Sequence, residues 1–528
     1  MTLPFSLELP YRSQRLPVFG RQVVATSSPA AAQVGLRVME RGGNAVDAAV
    51  AVAATLSVVE PTMNGVGGDL FALVWDGSAL HALNASGRSP RAWSFERFAA
   101  RDAMPELGWD AVTVPGAVSG WVALWERFGT QPFEALLAPA IAYAREGFPV
   151  LPRMAELWAN AVRRYAAFPE FSRVFTRDGR APAAGEYFGL PELAASLEAI
   201  AETRGAALYA GPLGEQMVRA ARAEGGALAL DDLAEHAPEF VAPIGVDFHD
   251  VQLFEPPPNG QGLAALIALG ILRHAPLAAL GPEHPDAVHF QIEAMKLAFA
   301  DARAHVADPA RLRVTPAELL APERLARLAA RVKSDVAAPL LGPRPEHGTV
   351  YATLGDRDGC MVSLIQSNYL GFGSGVVVPG TGIALQNRAL GFSLERGHPN
   401  AVAGGVRPYH TIMPGMLLRG GQARMSFGVM GGHMQPQGHV QMVLRVAIFG
   451  QNPQAACDAP RWYVSPDGRV GLEPELYRAV GASLARRGHC LLDELPASTF
   501  GGAQLLWRLD DGYCAGSDPR KDGQAVGS

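Results

Sequence analysis

The sequence has few cysteines, and their spacing argues against two common kinds of site. Its four cysteines are Cys360, Cys457, Cys490 and Cys514, and no two of them form a CxxC pair. Zinc sites and redox-active pairs built on cysteine need such close spacing. The sequence therefore indicates neither kind of site, and it favours a reduced, cytoplasmic protein that needs no metal and no other cofactor.

Lysine is also scarce, and the chain has no excess of basic residues. Of its 45 basic residues only Lys296, Lys333 and Lys521 are lysines. The formal net charge is −6 and the pI is near 6.1. Proteins that bind nucleic acid usually carry a basic patch or stripe. This composition argues against a nucleic-acid partner and favours a small molecule.

No apolar run is long enough to cross a bilayer. The longest, residues 48–59, includes Thr55 and Ser57, and it is shorter than the roughly 20 apolar residues that a transmembrane helix needs. Residues 1–20 lack the apolar core and the cleavage site of a secretory signal. We therefore expect no membrane partner and a cytoplasmic location.

Size and composition are those of an ordinary globular protein. The chain has 528 residues, of which 48% are hydrophobic and 18% charged. This length is too great for one simple core, so two domains or one large layered domain are expected.

Short motifs in the first part of the chain predict two helices and a hairpin. Ser27-Ser28-Pro29 predicts a helix that starts with a hydroxyl cap, and Gly42-Gly43 predicts its end. Residues 44–61 predict a second, mostly buried helix. Asp76-Gly77 then predicts the turn of a hairpin.

The second part of the chain changes from helices to strands. Residues 115–331 have a mainly helical pattern, and residues 334–348 contain Pro339, Pro343 and Pro345, which is typical of an exposed linker. After this linker, alternating residues predict strands. The whole pattern favours an α+β protein in which helices cover a mainly antiparallel sheet.

The seam between linker and strand raises a chemical question, because Gly348-Thr349 stands there. A threonine hydroxyl needs a base to become a nucleophile, and an N-terminal amine with a pKa near ~7.7–8.0 can be that base. Such an amine exists only if the peptide bond before Thr349 is cut. Gly348 suits this cut, since glycine tolerates strained backbone angles. Taken alone, the stretch also fits an ordinary strand start.

Longer stretches in colinear order resemble one family. They are GGNAVDAAVAVAATLSVVEPTMNGVGGDLFALVWD, VPGAVSGWVALWERFG, EPPPNGQG, EAMKLAFADARAHVADP, GTVYATLGDRDGCMVSL, RPYHTIMP and GVMGGHMQPQGHVQMVLRVAIFGQNPQAACDAPRW. Together they resemble the gamma-glutamyltransferase family of N-terminal nucleophile hydrolases. The resemblance implies a four-layer αββα sandwich and self-cleavage before a threonine that aligns with Thr349.

The resemblance also implies roles for residues near that threonine. Ser367, eighteen positions after Thr349, matches a hydroxyl residue that hydrogen-bonds the catalytic amino acid. Gly431-Gly432 matches a glycine pair whose backbone N–H groups stabilise the oxyanion, and losing one such donor typically costs ~10²–10³ in rate. Without the resemblance, Ser367 is a strand-end residue and the glycine pair a simple turn.

The positions that would bind a gamma-glutamyl group depart from the family's pattern. Ser86 stands where the family has an arginine for the substrate carboxylate. Arg88, two residues further on, either takes over this role or is a surface residue. Gly391 stands where the family has the acid that binds the substrate's α-amino group.

Further pocket positions differ as well. Tyr369 replaces an asparagine, and His410 and Thr411 replace paired serines. We expect all three to contact the substrate. The segment SLERGHPNAVAGGVRP is shorter than the family's usual lid, which implies a more open site.

These departures all change which charged groups of a substrate the pocket could bind. Without the acid, nothing pairs with a substrate ammonium, whereas Arg88 and His410 could bind an acidic group. We expect cleavage of an amide bond in a small acidic acyl compound through an acyl-enzyme on Thr349. This resembles the cytoplasmic, amidohydrolase-like branch of the family, such as oxamate amidohydrolase. Whether water or an amine accepts the acyl group stays open.

Three alternatives to a threonine hydrolase are a metal hydrolase, a nucleotide-binding protein and a non-catalytic binding protein. A metal hydrolase built from His410, His433 and His439 lacks the HExxH spacing that would fix the ligands on one face. A nucleotide-binding site is not indicated either, because the glycine-rich stretches GVGGD and GFGSG lack the P-loop lysine and the GxGxxG spacing. A non-catalytic, uncut protein that binds a small molecule remains an alternative.

The prediction is therefore a precursor of two segments. Residues 1–348 would form the large, mainly helical segment and residues 349–528 the small one, and both would share one layered domain. By family habit, two cleaved protomers should form a homodimer.

Overall fold

The computed structural model describes residues 14–332 and 348–528. Residues 334–347 of the predicted linker lie outside the described residues. Gly348, the last residue of that prediction, is instead the first residue of a strand.

Within the described residues the chain forms twenty strands. They are β1 (Val18–Gly20), β2 (Val23–Thr26), β3 (Asp69–Trp75), β4 (Leu80–Asn84), β5 (Phe148–Pro149), β6 (Tyr187–Phe188), β7 (Glu239–Val241), β8 (Ile244–Phe248), β9 (Val251–Glu255), β10 (Gly348–Gly355), β11 (Met361–Tyr369), β12 (Val377–Val378), β13 (Ile383–Ala384), β14 (Gly415–Arg419), β15 (Gln422–Met430), β16 (Trp462–Val464), β17 (Val470–Leu472), β18 (Gly502–Arg508), β19 (Tyr513–Ser517) and β20 (Gln524–Gly527).

The same residues form seventeen α-helices. They are α1 (Pro29–Glu40), α2 (Ala45–Val59), α3 (Ala117–Phe128), α4 (Phe133–Glu146), α5 (Pro152–Arg164), α6 (Pro169–Phe175), α7 (Pro191–Thr203), α8 (Ala206–Tyr209), α9 (Pro212–Ala223), α10 (Leu230–Ala234), α11 (Gly262–Leu272), α12 (Pro285–His305), α13 (Pro316–Leu319), α14 (Pro322–Ala329), α15 (Met434–Val443), α16 (Pro453–Asp458) and α17 (Pro474–Arg486). None of these helices is both long and apolar enough to span a bilayer.

Two large sheets organise the molecule. One has the strand order β20-β2-β10-β11-β3-β4-β7, and the other has the order β1-β19-β18-β15-β14-β9-β8. The pairings in both sheets are antiparallel. Each sheet contains strands that precede Thr349 and strands that follow it, so both segments of the chain contribute to one core.

The two sheets face each other, and helices cover their outer faces. Leu73 from the first sheet and Met416 and Leu506 from the second belong to one buried cluster. The Thr353 hydroxyl donates to Ser426 Oγ, 2.7 Å away in the opposite sheet. Helices α1 and α2 pack on the first sheet, and α11, α12 and α15 pack on the second. This arrangement confirms the predicted αββα sandwich.

The predictions for the first two helices and the first hairpin are confirmed in part. Helix α1 begins at Pro29 as predicted, but the hydroxyl cap is wrong, because the Ser28 side chain makes no capping bond. The proline fixes the first turn without it. Helix α2 is capped by the Asn44 side chain, which accepts from two backbone N–H groups. Asp76 closes the predicted hairpin by accepting from the Ser78 N–H at 2.8 Å.

The shared sheets lead to a prediction about a chain that is cut before Thr349. Strand β10 would begin at the cut and still pair with β2 and β11. We therefore expect both fragments to elute as one particle from a native size-exclusion column and to separate only under denaturing conditions. An uncut Thr349→Ala chain should elute at the same volume. Elution of the smaller fragment by itself would contradict the shared core.

Candidate active site

Thr349 lies at an irregularity between two central strands. In the ladder between β10 and β11, Gly348 is paired with Tyr369 and Val350 with Gln366. The register shifts between these pairs, because two residues of β11, Ser367 and Asn368, lie opposite the single residue Thr349. Bulges re-aim side chains and are common beside active sites.

A closed set of hydrogen bonds holds the Thr349 hydroxyl. It donates to the Gly348 carbonyl oxygen at 2.8 Å and lies 3.2 Å from Ser367 Oγ. Ser367 Oγ donates to the same carbonyl at 2.5 Å and accepts from the Tyr369 N–H at 2.8 Å. Both hydroxyl side chains are buried. The structure thus brings together the predicted cleavage site, Gly348-Thr349, and Ser367, which was predicted to hydrogen-bond the catalytic threonine.

Gly348 is required by crowding rather than by an unusual backbone angle. A Cβ atom here would lie 2.9 Å from the Thr62 carbonyl oxygen and 3.0 Å from the Gly371 nitrogen. Gly348 is not among the residues with positive φ, so the tolerance for strained angles that made glycine suitable for the cut stays a prediction. Tyr369 is the strained residue, with φ at 76°. Such strain in a non-glycine residue is typical of functional sites.

The glycine pair lies at the end of β15, just before α15. Gly431 and Gly432 have φ values of 125° and 55°, which only glycine adopts readily. The Gly432 carbonyl accepts from Gln261 Nε2 at 2.8 Å. In the part of the chain that is described, no group accepts a hydrogen bond from the N–H of either glycine. Two free backbone donors are the groups that an oxyanion site requires.

A cleft is lined by residues that adjoin both groups in the sequence. It has a volume of about 260 Å³ and is lined on one side by Tyr369, two residues after Ser367, and on the other by His433, directly after the glycine pair. Typical ligand pockets begin near 300 Å³, so this cleft suits a small molecule. The remaining lining residues are Phe299, Arg303, Leu390, Gly391, Phe392, Ser393, Glu395, His398, Asn400, Tyr409, Val464, Ser465 and Pro466.

Gly391 lines this cleft but leaves no room for a side chain. A Cβ atom at this position would lie 2.2 Å from the Tyr409 carbonyl oxygen and 3.2 Å from Pro408 Cβ. The backbone of the neighbouring segment therefore occupies the space where the acidic side chain of the family would begin. An acid cannot be accommodated at this position without a shift of that segment.

Arg88 lies in a different cavity from Gly391 and Tyr369. Its guanidinium is 2.9 Å from Asp308 Oδ2 and 3.3 Å from Glu239 Oε1. The cavity that it lines also contains Arg91 and His236. Two carboxylates already pair with Arg88, and the structure does not bring it to the cleft. Its role as a substrate ligand remains a prediction without geometric support.

His410 and Thr411 are buried, and neither is among the residues that line the cleft. His410 Nε2 lies 3.1 Å from Asp69 Oδ2, and burial lowers the pKa of His410 well below its usual value. A neutral imidazole in this place does not supply a positive charge for an acid group. Thr411 Oγ1 accepts from Arg388 Nη1 at 2.8 Å. As with Arg88, substrate contact by these two residues remains a prediction.

Two arginines near the cleft were not predicted from the sequence. Arg388 is buried, and its guanidinium carbon lies 4.7 Å from the centre of the Tyr369 ring. Arg303, near the end of α12, lines the cleft directly. Arg303 lies within one of the family-like stretches, but nothing in the sequence indicates which way its side chain points.

The three histidines considered as metal ligands are not brought together. His410 is bonded to Asp69, as described above, and His433 lines the cleft. His439 Nδ1 lies 2.7 Å from Glu255 Oε1 in the buried core. The prediction that these histidines are pocket or packing residues agrees with these positions.

Among the described residues, the one group of side chains whose ligand atoms lie within 4.8 Å of each other is His289, Glu293 and His489. Lys296 Nζ is 2.9 Å from Glu293 Oε1 and 3.5 Å from His489 Nδ1. The lysine ammonium already supplies a positive charge there, so this cluster is satisfied without a metal.

Similarity to known proteins shows which family the chain belongs to. The model of the gamma-glutamyltranspeptidase family matches residues 31–528. The chain is 36% identical over 520 residues to a glutathione hydrolase-like YwrD proenzyme of Bacillus subtilis, with 96% of this chain and 98% of that protein covered. It is 35% identical over 514 residues to an oxamate amidohydrolase proenzyme of Klebsiella pneumoniae, with 94% and 96% covered.

A solved structure resembles this chain over its whole length. The crystal structure of a cephalosporin acylase from Bacillus halodurans has a TM-score of 0.94 and 42% identity to this chain, and covers 100% of this chain and 99% of its own. The family resemblance predicted from the sequence is confirmed. The chain therefore belongs to the gamma-glutamyltranspeptidase family and is a hydrolase of amide bonds.

Proposed function

We propose that this chain is a self-cleaving threonine hydrolase that acts on amides of small acyl compounds with an acidic group. The observation that carries this proposal is the position of the Thr349 hydroxyl, 2.8 Å from the Gly348 carbonyl oxygen. This hydrogen bond keeps the hydroxyl beside the peptide group that it would attack. The relatives described as proenzymes support a maturation step of this kind.

The first step is cleavage of the chain. Thr349 Oγ attacks the carbonyl carbon of Gly348, the C–N bond breaks, and an ester forms while the nitrogen takes the hydroxyl proton. Ser367 Oγ donates to the Gly348 oxygen at 2.5 Å and stabilises the charge that develops there. Water then hydrolyses the ester, which leaves a carboxylate on Gly348 and a free amine on Thr349.

The second step uses the new terminus as a catalyst. The free amine, with an ordinary pKa near ~7.7–8.0, takes the proton of the Thr349 hydroxyl as that oxygen attacks a substrate amide. The free N–H groups of Gly431 and Gly432 stabilise the resulting oxyanion. The C–N bond of the substrate then breaks, the substrate amine leaves with the proton that the Thr349 amine had taken, and water hydrolyses the acyl-enzyme.

The residues of the cleft favour an acyl group without an ammonium. Gly391 supplies no carboxylate, and the crowding by Tyr409 prevents another side chain from replacing it. The acid in the lining, Glu395, is exposed at the rim. The Klebsiella pneumoniae relative is named for oxamate, an amide that carries a carboxylate and no ammonium. A substrate of this charge pattern is our proposal for the present chain.

Self-cleavage is tested by changing the hydroxyl. Purified wild-type protein should give two fragments in denaturing electrophoresis, and N-terminal sequencing of the smaller one should begin at Thr349. Thr349→Ala should remain one chain, because no nucleophile is present. Thr349→Ser should still be cut, because a hydroxyl persists.

A smaller fragment that begins at another residue would contradict the mechanism. A wild-type chain that stays uncut would instead support the alternative of a non-catalytic binding protein.

The glycine pair is tested by Gly432→Ala in the processed enzyme. A methyl group beside the oxyanion donors should lower kcat by about 10²-fold and change KM little, since these bonds strengthen mainly in the transition state. Gly420→Ala is the matched control, because Gly420 has φ of 57° and nothing within 4 Å of its Cβ position. Equal loss of kcat in both variants would show that backbone strain, and not the oxyanion, explains the effect.

Substrate charge is tested by comparing a gamma-glutamyl amide with its des-amino analogue, the glutaryl amide. A desolvated ammonium without an acid is costly. We expect kcat/KM to favour the glutaryl amide by at least about tenfold, which corresponds to ~1.4 kcal/mol. A clear preference for the gamma-glutamyl amide would indicate an ordinary glutathione hydrolase.

A further inference from the structure

Arg303 occupies an unusual position for a charged residue. It lies in the last turn of α12, is partly buried, and lines the cleft between Tyr369 and His433. Burial lowers the pKa of its guanidinium, although arginine stays protonated at neutral pH. Within residues 14–332 and 348–528, no carboxylate forms an ion pair with it.

Hydrogen bonds connect another residue of the cleft, Tyr409, with the glycine pair. The Tyr409 hydroxyl donates to Gln261 Oε1 at 3.1 Å, and Gln261 Nε2 donates to the Gly432 carbonyl at 2.8 Å. His433, which directly follows the pair, lines the same cleft. Arg303 therefore shares its cleft with two residues that adjoin the glycine pair.

Two other arginines could be considered for a substrate acid, and both are less suited. Arg88 lies in another cavity and is paired with Asp308 and Glu239. Arg388 is 1% exposed and is covered by the ring of Tyr369. Of the arginines that the structure describes, Arg303 is the one that lines the cleft.

The other titratable groups around the cleft do not replace this charge. Burial, together with the charge of Arg303, lowers the pKa of His433 to about 4, so its imidazole is neutral near pH 7. Glu395 is exposed at the rim. His398 uses Nε2 to bond the Arg303 carbonyl oxygen at 3.0 Å, which helps to fix the end of α12.

We propose that Arg303 binds the carboxylate of the acyl group and thereby determines the preference for acidic amides. A guanidinium that lacks an acidic partner and lines a small cleft can form two parallel bonds with a carboxylate. The ligand class is a short dicarboxylic acid joined to an amine through one amide. This inference rests on the proposed function for the identity of the reaction, but not for binding of the acid itself.

Binding is measured first, so that the result does not depend on catalysis. Glutarate should bind to the wild-type protein in calorimetry, and Arg303→Gln should weaken this binding by about 10- to 100-fold, the usual range for a lost charge-assisted bond. Arg303→Lys should restore part of it. Arg396→Gln is the matched control, since Arg396 is an exposed arginine paired with Glu96.

Catalysis gives a second measurement with the p-nitroanilides of glutaric acid and of neutral valeric acid. Arg303→Gln should lower kcat/KM for the glutaryl anilide by about 10- to 100-fold, mainly through KM, and leave the valeryl anilide within about threefold of wild type. Two fragments in denaturing electrophoresis should show that the variant still folds and matures.

Each other outcome overturns the inference. Glutarate that does not bind the wild-type protein, or that binds Arg303→Gln as well as wild type, excludes Arg303 as the anchor. A loss of binding in Arg88→Gln instead would assign that role to Arg88. Failure of the proposed function is a different result, because an uncut wild-type chain that hydrolyses neither anilide can still bind glutarate through Arg303.

Discussion

The pairing of β10 with both β2 and β11 fixes the position of Thr349, and the rest of the site depends on it. A central strand has no freedom to shift its register, because a slip of one residue would turn every buried side chain to the other face. The bulge in β11 opposite Thr349 is the one place where this ladder is irregular. At this place the Thr349 hydroxyl lies 2.8 Å from the carbonyl oxygen that precedes it. Ser367, on the neighbouring strand, then completes the hydrogen-bonded set without any movement of the sheet.

The pocket is determined by close packing as much as by charge. Removing an acid from a site usually leaves a space that a later substitution could refill. At Gly391 the Tyr409 carbonyl oxygen would be 2.2 Å from a Cβ atom, so the backbone itself excludes the acid. Restoring a gamma-glutamyl site would therefore require a shift of this segment and not one substitution. Gly391→Asp, the substitution that would return an acid to this position, is incompatible with this packing.

The parts of the site that sequence reasoning predicted are those that depend on local order. Thr349, Ser367 and the glycine pair belong to long colinear stretches, and the sandwich follows from the same resemblance. The positions of Arg88 and Arg303 depend on contacts between segments far apart in the chain. Arg88 seemed to replace a missing arginine because it is two residues away, yet Asp308 and Glu239 hold it elsewhere. No pattern in the sequence reports such a partner.

Desolvation decides which residue can carry a positive charge beside the substrate. A buried imidazole loses its proton, and the pKa of His410 is accordingly well below its usual value, while that of His433 is about 4. An arginine in comparable surroundings keeps its charge, because its ordinary pKa lies far above neutral pH. A guanidinium in this cleft therefore stays positive at a pH at which a buried imidazole is neutral. This difference is the reason why Arg303, and not His410 or His433, is the proposed partner of the substrate carboxylate.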